Sequence, residues 1–353
     1  MAKKQTAAER GAALQALKAA LKSGGLSNFY VFYGEESFLK ERYWQMLEKK
    51  VLDGPAAEFN FHRFNADSFS PQALNDAVDA MPMMAERTLI RVDDVDLFKQ
   101  PEGAREQYRA ILADLPDYCC LVLYYDTVDY RPNGTMRRLN EVFQQKAQQV
   151  EFGKQSERDL IAWIARHFRA HDKSISDRLC QYLIFLTDGT MTTLAGEIEK
   201  VASYAQGAEI TRGDMDAVVI PALSAQTFDI SNALTEGNYD AALQKLQDLY
   251  AMQTDPILIL GAIGSQMRRL CYARTVMAAG QGQQALMDLT GLKSYPAGLT
   301  MTAARRVSEG FCRRAVELCL QADRDLKSSR DDPERIVEVL IAALAQEARN
   351  GTR

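Results

Sequence analysis

The stretch NFYVFYGEESFLKERY, residues 28–43, determines the expected fold of the first part of the chain. An apolar run from Phe29 to Phe32 stops at Gly34, and a segment with helical character begins a few residues later. The order of strand, glycine and helix is that of the phosphate-binding loop in nucleotide-binding domains. The stretch therefore predicts an α/β domain and raises the question of whether its loop binds a nucleotide.

The loop departs from the phosphate-binding pattern G-x-x-x-x-G-K-[ST] at the positions that carry the chemistry. When Gly34 is aligned with the first glycine, Lys40 falls on the lysine position. Leu39 replaces the second glycine and adds a side chain where backbone must wrap the phosphates, and Glu41 replaces the hydroxyl that holds Mg²⁺. Two glutamates directly after Gly34 add negative charge, which repels a polyanion. We predict that Gly34, Leu39, Lys40 and Glu41 keep the shape of a phosphate loop without binding a nucleotide.

A weaker sign of the same fold is the segment TLIRVDDV, residues 88–95, which ends in Asp93 and Asp94. Acidic residues at this place in ATPases bind Mg²⁺ and activate water. Carboxylates at strand ends are common, so the pair does not by itself predict an ATPase.

Strand-like and helix-like segments alternate up to about residue 152. The expected strands are rich in β-branched and aromatic residues and lie at 29–33, 59–66, 87–95, 119–126 and 148–152. Helical segments between them, such as 36–51, indicate a parallel sheet with helices on both faces.

From Gly153 onward the pattern is helical. Amphipathic or apolar helices are expected at 156–168, 176–189, 192–207, 239–252, 255–273, 301–327 and 333–349. We therefore predict an α/β domain at 1–152 with an N-terminal helix at 7–23, a small helical domain at 153–213 and a larger helical domain at 214–353.

The composition excludes several classes of protein. The 353 residues include 42 basic and 47 acidic ones, for a net charge of −5, which disfavours a protein whose main task is to grip nucleic acid. No apolar run is long enough to cross a bilayer, and the N-terminus does not resemble a signal peptide. The six cysteines lack metal-binding spacing, and His167 and His171 have no third ligand nearby. We expect a cytoplasmic protein without metal or cofactor.

The chain resembles the delta subunit of the bacterial DNA polymerase III clamp loader along nearly its whole length. The resemblance rests on the order of several segments, which are FYVFYGEESFLKE, MPMMAERTLIRVDDV, LTDGTMTTLAGEIEKVASY and TFDISNALTEGNYDAALQKLQDLYAMQTDPILILGAIGSQMRRL. It implies an AAA+-like first domain with a degenerate nucleotide site, a small helical lid domain and a helical collar domain. It also implies partners, namely the sliding clamp (beta subunit), the tau/gamma and delta-prime subunits, and primed DNA within the assembly.

The resemblance further implies a clamp-opening element, which in the family is a pair of large apolar residues on a short helix before the strand TLIRV. By position this pair is Met83 and Met84, where the family leads us to expect a leucine and a phenylalanine. Methionine is unbranched and polarizable, so it can also fill an apolar pocket. Independently of the family, Pro82 interrupts the preceding helix, and the charged Glu86 follows closely. The sequence is compatible with methionines that are exposed and with methionines that pack under the strand.

Arginine pairs stand out in the helical part of the chain, and Arg268, Arg269, Arg305 and Arg306 are candidate contacts to DNA or to partner subunits. Solvated helix faces also explain such pairs. The expected function is that of a non-catalytic clamp-loader subunit that binds and opens the clamp without hydrolysing ATP. Two alternatives stay open, an active AAA+ ATPase with an unorthodox phosphate loop and a stand-alone DNA-binding protein.

Overall fold

The computed structural model describes residues 7–54, 56–328 and 331–351. The chain divides into two compact units, one up to Gln155 and one from Ser156 onward. The predicted division at residue 213 into a lid and a collar domain falls inside the second unit and stays a prediction.

The first unit is built on a five-stranded parallel sheet with the strand order β2-β3-β4-β1-β5. Its strands are β1 (Phe29–Tyr33), β2 (Phe61–Phe64), β3 (Thr88–Asp93), β4 (Cys119–Tyr124) and β5 (Gln148–Glu151). The helices are α1 (Ala7–Ser23), α2 (Ser37–Val51), α3 (Pro71–Asp79), α4 (Glu102–Ala113) and α5 (Arg137–Lys146), with 3-10 turns at Ala57–Asn60 and Leu97–Lys99. The predicted parallel α/β sheet is confirmed.

The sheet is buried on both faces because successive side chains of a strand point to opposite sides. Phe29 and Val31 of β1 pack into one core, and Tyr30 and Phe32 pack into the other. The sequence of β1 is therefore apolar without interruption, and the polar groups that follow it collect at the carboxyl edge of the sheet.

The second unit is helical, apart from one isolated bridge between Ser174 and Glu209 in the part that the structure describes. Its helices are α6 (Glu157–Ala170), α7 (Asp177–Leu186), α8 (Met191–Tyr204), α9 (Arg212–Val218), α10 (Leu223–Thr235), α11 (Tyr239–Ala251), α12 (Pro256–Ala278), α13 (Gln283–Thr290), α14 (Ser294–Ala304), α15 (Glu309–Ser328) and α16 (Pro333–Gly351). A single apolar core runs from α10 to α16.

The predicted continuous helix at 301–327 is wrong. The chain leaves helical geometry between α14 and α15, and the Ser308 hydroxyl accepts a hydrogen bond from the backbone N–H of Phe311 at 3.1 Å. Ser308 therefore caps a new helix at a place where the apolar spacing alone suggests no interruption. The sequence analysis also did not identify α9, α10 and α13.

All six cysteines carry free thiols, and five of them are buried. Within the described residues, no helix combines the length and the apolar character that a membrane span needs. The described residues also contain no cluster of three or more potential metal ligands.

Candidate functional site

The loop after β1 is shaped by close packing against the chain that leaves β5. Gly34 has a φ of +117°, and a Cβ atom at this position would lie 2.4 Å from the carbonyl oxygen of Phe152. The same oxygen accepts a hydrogen bond from the backbone N–H of Glu36 at 2.8 Å. Only glycine fits this conformation and this contact, so the glycine is explained without a phosphate.

The side chain of Lys40 is fully buried and directed back into the protein. Its Nζ donates to the carbonyl oxygens of Gly34 at 3.1 Å and Tyr125 at 2.6 Å, and it lies 2.7 Å from Oδ1 of Asp126. An ammonium has three donors, and all three are occupied. The hydrogen bond from Lys40 is the main cause that holds the pKa of Asp126 below its usual value. The adjacent Leu39 packs against the core that contains Tyr30 and Phe32.

Glu41 belongs to a cluster of charged and aromatic side chains. Its Oε2 accepts a hydrogen bond from the Tyr124 hydroxyl at 3.2 Å and lies 3.5 Å from Nη1 of Arg91. The guanidinium of Arg91 lies over the rings of Trp44 and Tyr124, at 4.6 and 3.9 Å from their centroids, and its Nε donates to Asp93 at 2.7 Å. Glu41 and Asp93 are thus partners of a buried arginine.

Asp94 also has a structural role. The residue has a φ of +55°, and its Oδ1 accepts hydrogen bonds from the backbone N–H groups of Asp126, Thr127 and Val128 at 2.7, 3.0 and 3.1 Å. Burial raises the pKa of Asp94, but these hydrogen bonds and one from the Thr127 hydroxyl together lower it below its usual value. The carboxylate fixes the loop after β4, next to the residue that binds Lys40.

The two methionines lie in an irregular loop between α3 and β3 rather than in the short helix that the family resemblance implies. Met83 is 52% exposed and Met84 is 82% exposed, so neither side chain fills the core. Large apolar side chains at the tip of a connection are typical of a contact with another protein.

The buried side chain of Asn60 fixes the backbone of the methionine loop. Its Oδ1 accepts from the N–H of Met83 at 2.6 Å, and its Nδ2 donates to the carbonyl oxygens of Met83 at 2.9 Å and Ala56 at 3.0 Å. Met84 follows with a φ of +51°. Sequence reasoning missed Asn60, since nothing in its local pattern indicates a partner more than twenty residues away.

The four candidate arginines differ in their exposure and in their partners. Arg306 is engaged within the second unit, where its Nη1 lies 2.8 Å from Oε1 of Glu236. Arg269 is partly buried beside a cavity of about 160 Å³, and burial lowers its pKa. Arg268 and Arg305 are exposed.

Models of known protein families match residues in both units of the chain. Residues 30–153 match the family model of the DNA polymerase III delta subunit, and residues 224–344 match the model of the C-terminal domain of that subunit. The chain belongs to the DNA polymerase III delta-subunit family. The resemblance stated from the sequence is thereby confirmed, as is the expected α/β domain followed by an all-helical part.

Individual members of the delta-subunit family share little sequence with this chain. The DNA polymerase III subunit delta of Bacillus subtilis (strain 168) is 23% identical over 335 residues, which are 92% of this chain and 94% of the relative. The subunit delta of Escherichia coli (strain K12) is 23% identical over 168 residues, 48% of this chain and 49% of the relative. The solved structure of the Bacillus subtilis DNA clamp loader delta protein has a TM-score of 0.58 at 20% identity and covers 94% of this chain and 99% of its own, which shows a shared fold.

Proposed function

We propose that this chain is a cytoplasmic clamp-loader subunit that binds a ring-shaped sliding clamp through Met83 and Met84. It helps to open the clamp for loading onto primed DNA and does not hydrolyse ATP itself. The observation that carries the proposal is the pair of exposed methionines on a loop whose backbone is fixed by Asn60. A fixed loop loses little conformational entropy on binding, so its apolar side chains contribute more fully to affinity.

Clamp opening follows from differential affinity. A surface that fits an open or strained clamp interface better than a closed one shifts the clamp toward the open state. The energy for the cycle comes from ATP bound by neighbouring subunits, since Lys40 has its three donors occupied by protein oxygens. The predicted collar at 214–353 joins the tau/gamma and delta-prime subunits, and the exposed Arg268 and Arg305 are the proposed contacts to those subunits or to DNA.

The test is binding of the full chain to the sliding clamp of the same organism, measured by surface plasmon resonance. Replacing both methionines, Met83→Ala with Met84→Ala, should weaken binding on the order of a hundredfold, because each buried methionine contributes roughly 1.5 kcal/mol or more. The unfolding midpoint should stay unchanged, since both side chains are exposed in the free protein.

The matched control is Met46→Ala, which removes a methionine that is 45% exposed on α2, in the same unit. This variant should bind the clamp like the wild type. Undiminished binding by the double variant would overturn the assignment of the methionine loop.

A further inference from the structure

Two more large apolar side chains are exposed at or near the methionine loop, residues 80–87 between α3 and β3. Met81 is 80% exposed, and Phe59, in the 3-10 turn before β2, is 71% exposed. Burying a phenylalanine side chain contributes roughly 1.5–3 kcal/mol, so a partner that covers Phe59 gains free energy of this order. Exposed aromatic and methionine side chains that lie together indicate a protein-binding surface.

Asn60 joins the two segments that carry these side chains. Phe59 precedes Asn60 directly, so their Cα atoms are about 3.8 Å apart. The Asn60 side chain in turn binds both the N–H and the carbonyl oxygen of Met83. The 3-10 turn and the methionine loop are therefore held side by side through one buried amide.

Acidic residues outnumber basic ones in sequence around these apolar residues. Glu58, Asp79 and Glu86 are exposed and lie within three residues of Phe59 or of a loop methionine, whereas the one arginine at such a distance, Arg87, is partly buried and donates to the carbonyl oxygen of Leu26 at 3.0 Å. A partner that covers the apolar residues meets this carboxylate rim, so complementarity requires basic side chains around the partner's apolar pocket.

We propose that Phe59 is a further contact residue for the clamp and that Asn60 is the positioning residue that aligns it with Met83 and Met84. The inference rests on the proposed function. The partner that covers Phe59, Met83 and Met84 is the sliding clamp, which contacts them through an apolar pocket with basic side chains around it. Phe59 contributes buried aromatic surface, while Asn60 acts through the loop and touches no partner atom.

The experiment compares Phe59→Ala and Asn60→Ala with the wild type in clamp binding by surface plasmon resonance. Phe59→Ala should weaken binding about tenfold or more, because a buried phenylalanine is removed from the interface. Its unfolding midpoint should not fall, since Phe59 is exposed in the free chain. Tyr204→Ala, which removes an aromatic side chain that is 50% exposed in the second unit, is the matched control and should bind like the wild type.

Asn60→Ala needs a readout that general destabilisation would not produce. It should weaken clamp binding about tenfold, and it should accelerate hydrogen exchange at the amide of Met83 while leaving the amides of β1 and β4 protected. Asn60→Asp keeps the acceptor for the Met83 N–H but places a buried carboxylate oxygen against the carbonyl oxygens of Met83 and Ala56, so it should weaken clamp binding at least as much as Asn60→Ala. Equal affinity of Asn60→Ala and the wild type would exclude the positioning role.

The rim is tested with Glu58→Gln combined with Glu86→Gln. Wild-type binding should weaken with rising salt, and the double variant should show a smaller salt dependence. Salt-independent binding by the wild type would exclude the basic rim.

The outcomes separate the two proposals. Loss of binding by the double methionine variant with full binding by Phe59→Ala would leave the proposed function in place and exclude the role of Phe59. Full binding by the double methionine variant would exclude the proposed function, and the inference about Phe59 and Asn60 would fail with it.

Discussion

Lys40 illustrates how a residue that a motif assigns to a ligand can belong to the fold instead. Its position relative to Gly34 is that of a phosphate-binding lysine, and Leu39 and Glu41 are enough to predict a degenerate site from sequence. The actual partners of Lys40 were not predictable, because Tyr125 and Asp126 lie about eighty-five residues away and follow a different strand. Parallel strands bring their carboxyl ends together at one edge, so such contacts follow from topology rather than from local pattern.

We expect the buried contacts of Lys40 to stabilise the first unit. Lys40→Met should lower the free energy of unfolding by about 2–3 kcal/mol, because it leaves two carbonyl oxygens and a carboxylate without their charged donor. Urea unfolding monitored by the fluorescence of the buried Trp44, in a Trp163→Phe background, reports on this unit alone.

The control for Lys40→Met is Lys154→Met. Lys154 forms an exposed ion pair with Glu35 at 2.8 Å, so its loss should leave the unfolding midpoint unchanged. Equal midpoints for Lys40→Met and the wild type would show that the buried hydrogen bonds of Lys40 do not stabilise the fold.

At the scale of elements, the conformation of the loop between β1 and α2 depends on the positive φ of Gly34. Gly34→Ala should destabilise the first unit by about 2 kcal/mol, because the new Cβ meets the Phe152 carbonyl and the φ of +117° strains any other residue. Gly11→Ala, on α1 with no atom near its would-be Cβ, should stabilise the same unit by about 0.5 kcal/mol. Thermal and urea unfolding give both values, and equal signs for the two variants would contradict the packing argument.

Element prediction from sequence succeeded where one strong pattern dominates. β1 begins and ends where the apolar run predicts it, and α6 begins at Glu157 within the predicted helix 156–168, with the Ser156 hydroxyl accepting a hydrogen bond from the N–H of Asp159 at 3.2 Å. The boundary between α14 and α15 was missed because apolar spacing continues across it, and only Ser308 marks the new helix. The strand expected at 59–66 is shorter, since its first residues form the 3-10 turn that presents Phe59.

Of the candidate site, the two methionines were predictable from the sequence, whereas Asn60 and Phe59 were not. The family resemblance, carried over by position relative to the strand TLIRV, points to Met83 and Met84, and their exposure agrees with the neighbouring proline and charges. Asn60 and Phe59 belong to a separate segment of the chain, and only the pairing of β2 with β3 brings that segment beside the loop. A side chain that binds two backbone groups of a distant loop produces no periodic pattern in the sequence from which it could be predicted.

At the scale of the whole molecule, the proposed function assigns the binding and hydrolysis of ATP to other subunits. Isothermal titration of the full chain with Mg²⁺-ATP should therefore show no saturable binding at millimolar nucleotide. The physical reason is that the ammonium of Lys40 is occupied and Glu41 takes the place of a metal-ligating hydroxyl. Saturable binding would instead favour the active-ATPase alternative.

The structural roles of Gly34 and Lys40 also determine which residues can indicate nucleotide binding in relatives of this chain. The loss of stability expected for substitutions at Gly34 or Lys40 does not depend on a nucleotide, so a requirement for stability alone is enough to retain both residues. Retention of these two residues across a lineage is thus compatible with complete loss of nucleotide binding. The more informative character is the residue after the lysine, where a carboxylate beside Arg91 stands in place of a metal-binding hydroxyl.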